Sequence, residues 1–340
     1  VNRYETTRTE SAHDGWDLEE EPARLATQIS YDRARSIIAR NTSPDVPFDR
    51  SINPYRGCEH GCIYCFARPS HAQLGFSPGL DFETRIVVKP NAAELLEKAL
   101  RKPGYLAEPI AIGTNTDPYQ PIERQHLVMR QVLEVLWEYR HPVQITTKGA
   151  LIGRDLDLLA RMSRQGLVSV TISLTTLDNR LSRQLEPRAA SPGRRIALIR
   201  ALADYGVPVG VNLAPVIPAL TDHEVERLLQ AGAGAGASHA GLILLRLPLE
   251  VAPLFRDWLA THMPDRARRV MGRVRETQGG VDYDASWGKR LKGEGVHAQV
   301  IARRFEINAK RLGLSVGRPK LRKDLFRCPP RPGDQLGLDL

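Results

Sequence analysis

The feature that most constrains this chain is an alternation that runs through its middle. Short apolar, β-branched runs at Pro109–Gly113, Val143–Thr147, Val168–Leu174, Val207–Leu213 and Gly241–Leu247 read as strands. Between and after them, amphipathic runs at Glu123–Tyr139, Asp155–Arg164, Pro192–Tyr205, Asp222–Ala231 and Val251–His262 read as helices, and another, Ala92–Arg101, precedes the first strand. Thr221 with Glu224 has the spacing of a capping box and predicts one helix start. Strand and helix repeated in this order argue for parallel strands joined by right-handed crossovers. With a strand ahead of Cys58 the count is six βα units, either a doubly wound sheet or a partial barrel. In both, functional residues gather at the carboxyl ends of the strands.

The flanks differ. Residues 1–45 are expected to form a polar, acidic arm followed by a helix over Tyr31–Ala39. Residues 46–263 hold the βα repeat. Residues 264–340 are expected to form a basic C-terminal extension containing a helix over Val296–Arg311. From Arg266 to Arg327 there are 17 Lys and Arg against 6 Asp and Glu, which outweighs the net charge of +9 of the whole chain. Such a surface attracts phosphates, and Arg303, Arg304, Lys310 and Arg311 fall on one predicted helix. A solvated helical face is the plainer reading. No run approaches a membrane span, and the first residues lack the apolar stretch of a secretory signal, so a cytoplasmic location is expected.

Three of the four cysteines lie in GCEHGCIYCFAR, as Cys58, Cys62 and Cys65. A disulfide framework would spread an even set along a small secreted chain. Three thiolates on one loop can instead each hold one iron of a cubane cluster and leave the fourth iron open to a small chelating molecule. Zinc, with His60 as a fourth ligand, is the alternative, although such sites usually spread their ligands over two arms.

The cysteine spacing, placed after a strand that opens a βα series, resembles the radical SAM superfamily over roughly residues 50–250. Within it, GTNTDPYQPIE, ITTK, TISLTT, LEPRAASPGRR and VNLAPVIP resemble the branch of spore photoproduct lyase and related bacterial proteins. The resemblance implies an α/β partial (βα)6 barrel with an appended basic, mainly helical C-terminal unit. It implies a [4Fe-4S] cluster on Cys58, Cys62 and Cys65 that cleaves S-adenosylmethionine (SAM) to a 5′-deoxyadenosyl radical. An electron donor such as flavodoxin or ferredoxin follows from that chemistry.

The same resemblance places Tyr64 near the adenine, Asp117 and Lys148 beside SAM, Ser173 and Thr175 on the fourth strand, and Asn212 at the adenine pocket. Thr175 replaces the asparagine of the lyase pattern, which puts its role in doubt. The residues also have readings of their own. Tyr64 suits a core aromatic, and Asp117 can cap its own turn. Lys148 can be solvated, and Asn212 can brace the barrel. Asn115 beside Asp117 suits an ammonium or ribose. Arg188 suits a carboxylate clamp or an ion pair with Glu186.

One departure limits the analogy. The lyase pattern keeps a hydrogen-donor cysteine near its second-strand motif, whereas AIGTNTDPYQ holds no thiol and Cys328 lies far along the chain. The expected activity is hydrogen abstraction from an unspecified substrate, with nucleic acid a candidate. A nucleic-acid-binding regulator with a structural or redox-sensing cluster is the rival.

Overall fold

The computed structural model describes residues 26–330, so the expected N-terminal arm at 1–25 lies outside the described residues. Eleven strands occur among them: β1 (Gln28–Tyr31), β2 (Ile38–Arg40), β3 (Arg50–Ile52), β4 (Tyr55–Arg56), β5 (Arg85–Val88), β6 (Ile110–Ile112), β7 (Val143–Thr147), β8 (Val168–Ser173), β9 (Val209–Val216), β10 (His239–Leu244) and β11 (Ser315–Val316). The large sheet has the order β11-β10-β9-β8-β7-β6-β3-β2, and all pairings from β3 to β11 are parallel. Six strands that pair in chain order, each crossing over through helical segments, make the partial barrel rather than a doubly wound sheet, in which the order would reverse at a switch point. β1, β5 and β4 form a second, small sheet.

Alternation along each strand sorts the side chains. Ile110, Ile112, Val143, Ile145, Val170, Ile172, Val209 and Val211 are buried in the main core against the helices. The opposite faces carry Gln144, Thr146, Ser169, Thr171, Ser173 and Asn212, so the lumen is polar. The helix Gly295–Arg311 contributes Ile301, Phe305 and Ala309 to that same core, and β11 extends the sheet beyond β10.

Three expectations fail for identifiable reasons. Tyr31–Ala39 is not a helix: β1 pairs with β5 and β2 with β3, so sheet edges override a short helical pattern. Glu123–Tyr139 is broken at Leu127, whose φ is 53°, into Glu123–His126 and Val128–Glu138. The Glu123 carboxylate accepts from the Met129 amide at 3.1 Å and so caps the second piece. The capping box is absent. Thr221 Oγ1 accepts from the Ile217 amide at 2.9 Å, and the Glu224 carboxylate accepts from Leu177 N at 2.9 Å and from the Thr176 hydroxyl. The chain there begins with a 3-10 turn, Asp222–Glu224, before the helix Val225–Gly234.

After β11 the chain runs beneath the amino ends of the strands. Arg322 N donates to Gly166 O at 2.9 Å, and Arg327 N donates to Tyr139 O at 3.1 Å. Phe326 lies against Tyr105, Tyr139 and His141, with centroids 5.4–6.5 Å away. Arg318 enters the lumen and donates to Gln144 Oε1 at 3.1 Å and Thr146 Oγ1 at 2.7 Å. This strap closes the end of the barrel opposite the cysteine loop. Replacing Phe326 by Ala is expected to lower unfolding stability by about 1–2 kcal/mol, the value of burying part of an aromatic ring. Urea denaturation measures it, and an unchanged midpoint would show that the strap adds nothing.

Candidate functional site

The cysteine loop begins where β4 ends. Gly57 has φ of 79°, and a Cβ there would sit 2.8 Å from Phe82 O, so only glycine admits the turn that leads into Cys58. Cys58 N donates to that same Phe82 carbonyl at 2.8 Å, and Cys65 N donates to Cys62 O at 3.2 Å. Cys58 and Cys62 are buried and Cys65 is half-buried.

Arg68, three residues past Cys65, holds the loop in shape. It is only 1% exposed. Its guanidinium donates to Cys62 O at 3.0 Å, Gly61 O at 3.2 Å, Pro78 O at 3.1 Å and Gly79 O at 2.7 Å, and to the Glu83 carboxylate at 3.0 Å. Gln120 ties the loop from the other side: its Oε1 accepts from Glu59 N at 2.8 Å and its amide nitrogen donates to Gly57 O at 3.2 Å.

Two carboxylates organise the surroundings. Asp117, after β6, accepts from Tyr119 N at 2.9 Å and Thr147 Oγ1 at 2.6 Å through one oxygen, and from Lys148 N at 2.7 Å through the other. His60 Nδ1 lies 3.5 Å from that second oxygen. Burial lowers the His60 pKa, with Asp117 opposing the shift, so the ring is neutral. Glu186 is buried. It accepts from the Tyr64 hydroxyl, from Thr175 Oγ1 at 2.9 Å, and pairs with Arg195. Burial alone would raise its pKa, but the charges of Arg195 and then Lys148 hold it at about 2.

The other sequence candidates divide by whether a partner already holds them. Arg188 donates to the Glu59 carbonyl and the Glu83 carboxylate, so it pairs with Glu83, and the ion pair of Glu186 goes to Arg195. The Lys148 ammonium has no hydrogen bond or ion pair among the described residues and stands 6.0 Å from the Tyr64 ring centroid. Asn115 follows β6, Ser173 ends β8, and Asn212 lies within β9 in register with Ser173, its side chain over Gly241. Cys328 is at the far end of the barrel, where its Sγ is 3.6 Å from Leu100 O.

Sequence reasoning missed Arg68, Gln120, Arg195 and Arg246. Arg246 follows β10, stacks on Phe66 at 3.9 Å and has Tyr283 and Cys65 beside it; burial lowers its pKa. A cation just past an apolar run is the signal that marked Lys148, and it applied equally to Arg246. Lys148 and Arg246 thus stand beside the cysteine loop, at Tyr64 and Phe66, and neither forms an ion pair among the described residues.

Burial raises both deeper thiols, Cys62 to about 12 with the Glu186 carboxylate adding to the shift. A metal must therefore displace their protons. Among the described residues no three His, Cys, Asp or Glu side chains are gathered for a single ion. A cubane needs no such convergence, because each thiolate takes its own iron. Arg68→Ala is expected to cost about 3–5 kcal/mol, because it leaves Glu83 and four carbonyls without that donor. It should also speed the reaction of Cys58 and Cys62 with a disulfide reagent. Unchanged melting and thiol reactivity would refute the role of Arg68.

Comparisons with known proteins agree with this geometry. The family model described as Radical SAM superfamily matches residues 52–231. An uncharacterised protein of Mycobacterium tuberculosis is 42% identical over 226 residues, and the match spans 66% of each chain, just under two thirds of that relative's length. The Radical SAM Nalpha-GlyT isomerase of Pseudomonas phage M6 is 26% identical over 230 residues, covering 67% of this chain and 46% of that protein. Spore photoproduct lyase complexed with dinucleoside spore photoproduct shares the fold at a TM-score of 0.60 and 17% identity, over 85% of this chain and 81% of that one. With a polar-lumened partial barrel, a cysteine loop at the carboxyl ends of its strands and a family match across that region, the chain belongs to the radical SAM superfamily and is an enzyme of that class.

Proposed function

We propose that Cys58, Cys62 and Cys65 hold a [4Fe-4S] cluster whose fourth iron takes SAM, and that the radical so formed abstracts hydrogen from a nucleic-acid substrate. The observation that carries the cluster assignment is the loop itself: three thiols within eight residues, fixed by Arg68 and Gln120 at the carboxyl-end mouth of the barrel. When bound, the cluster supplies the electron that splits SAM into methionine and a 5′-deoxyadenosyl radical. An external one-electron donor supplies that electron to the protein.

In this reading the residues do distinct work. Lys148, which lacks a partner, binds the SAM carboxylate. Asn115, Ser173 and Asn212 offer hydrogen bonds to the ribose, ammonium and adenine, and Tyr64 walls the pocket. Asp117, Thr175 and Arg188, which the sequence offered to SAM, act as positioning residues because protein groups already engage them. Glu186 is ionised and fixed between Arg195 and Tyr64, so it orients Tyr64 instead of moving a proton.

The nucleic-acid part draws on the solved lyase, which was complexed with a dinucleoside spore photoproduct, and on Lys148 and Arg246 near the mouth, which form no ion pair among the described residues. The lyase's hydrogen-donor thiol has no counterpart near Asp117, and Cys328 is at the opposite end of the barrel. Repair of a thymine dimer by the lyase's thiol relay is therefore not supported by these residues.

Anaerobic reconstitution should give about four irons and four sulfides per chain. Cys58→Ala, Cys62→Ala or Cys65→Ala should each abolish that content, and Cys328→Ala should not. Stoichiometric zinc without iron would overturn the assignment. Lys148→Ala should leave iron content intact and weaken SAM binding about tenfold, the loss of one charge-assisted contact. Equal SAM affinity in the variant would remove Lys148 from the site.

A further inference from the structure

About half of the basic C-terminal residues are paired with carboxylates. Arg304 makes a two-pronged pair with Glu226 at 2.7 and 2.6 Å. Arg303 pairs with Glu306 at 3.8 Å, Arg275 with Asp282 at 2.8 Å, Arg290 with Asp45 at 2.6 Å, and Lys323 with Glu108 at 2.5 Å. Arg318 is inside the barrel. The helix that the sequence offered to phosphates therefore has only part of its charge available.

A group of arginines without ion pairs also lies nearer the cysteine loop. Arg180, Arg183, Arg227 and Arg266 are exposed, and none forms an ion pair among the described residues. Arg180, Arg227 and Arg266 line a recess of about 660 Å³ bounded by the loops after β8 and β9 and by the start of the helix Pro264–Glu276. A second recess, of about 690 Å³, continues it past Arg183 and shares Arg180, Gln184 and His262. Asp178, Glu224 and Asp265 also line the first recess, so its three arginines face three carboxylates, of which Glu224 is buried and bonded to Thr176 and Leu177; the second recess adds Arg183 and is lined by no carboxylate.

The recess is close to the cysteine loop. Leu181, in its wall, and Leu185, on the same helix Asn179–Leu185, pack in one cluster with Cys62 and Tyr64. Ile63 N donates to Leu185 O at 3.0 Å, so one short helix separates the arginines from the loop.

We infer that this arginine recess docks the phosphate backbone of a single-stranded nucleic acid and delivers one nucleotide to the barrel mouth. The inference rests on the nucleic-acid reading above and names where that substrate binds. Four separated guanidiniums along a recess match successive phosphates better than a single small anion. A single strand fits because it presents an unpaired nucleotide without the cost of extruding a base from a duplex.

The test is fluorescence anisotropy with a labelled single-stranded oligonucleotide over a salt series, using reconstituted protein. The parent is compared with Arg180→Gln/Arg183→Gln/Arg227→Gln/Arg266→Gln and with a control, Arg303→Gln/Lys310→Gln/Arg311→Gln. Each phosphate contact contributes about −0.7 to the log–log salt slope for single strands. The recess variant should therefore flatten the slope by about 2–3 and bind at least about tenfold more weakly at low salt. Its melting temperature and iron content should match the parent's, and the control should change binding less than about threefold. A recess variant that binds as the parent does, or a control that loses as much, overturns the inference and leaves the nucleic-acid reading standing. A parent that binds no oligonucleotide at low salt overturns both.

Discussion

One buried guanidinium determines whether this chain can present three thiols together. A loop with two positive-φ glycines has little intrinsic preference for one shape, and Arg68 supplies that preference from inside. It gathers carbonyls from both sides of the loop, at Gly61 and Cys62 and at Pro78 and Gly79, while Glu83 balances its charge. A lysine could not do this, because only the planar fork offers five donors in fixed directions. Glu83 in turn takes Arg188, so the residues after β8 are attached to the loop through a shared carboxylate.

The same device recurs at the mouth. Glu186 with Arg195 is a fully buried pair, which water alone would disfavour because both ions lose hydration. The pair is tolerable because each nitrogen of the Arg195 guanidinium has an acceptor. Arg195 also reaches Ala190 O at 2.7 Å and Ser173 O at 3.1 Å, and Glu186 takes Tyr64 and Thr175. Asp117 does for β7 what Glu186 does for β8, since it fixes the backbone of Lys148 at the strand end. Asp117 and Glu186 thus hold the surroundings of Lys148 and Tyr64 in place.

How much of this was legible follows from what kind of interaction decides each element. Strands with two or three apolar β-branched residues, such as Val143–Thr147, are determined by burial, and that pattern is visible in any stretch of text. The helix Val251–His262 carries Phe255, Trp258 and Leu259 on one buried stripe, and its limits matched the expectation. The failures lie where a distant partner outweighs local preference. Glu123 breaks a helix by capping Met129, and Glu224 leaves its capping box for Thr176, 48 residues away. In the site, the cysteine spacing is local and readable, whereas Arg68, Gln120 and Arg195 act through backbone carbonyls that carry no sequence signature.

Charge shows the limit of composition most clearly. A count of Lys and Arg assigns the basic character to residues 266–327, yet folding brings Asp45, Glu108 and Glu226 from other parts of the chain to those cations. Arg318 goes further: it leaves the surface and, with Gln144 and Thr146, fills the amino end of the lumen. A cation held in that way belongs to stability, because it cannot turn toward a ligand without breaking buried hydrogen bonds. Beside the carboxyl ends of the strands, the cations without an ion pair among the described residues include Lys148 and the arginines of the recess, while Arg246 there is held by Phe66 and Tyr283. The strap-closed lower end and the polar upper end thus divide one barrel into a part whose cations are spent on the fold and a part whose cations are not.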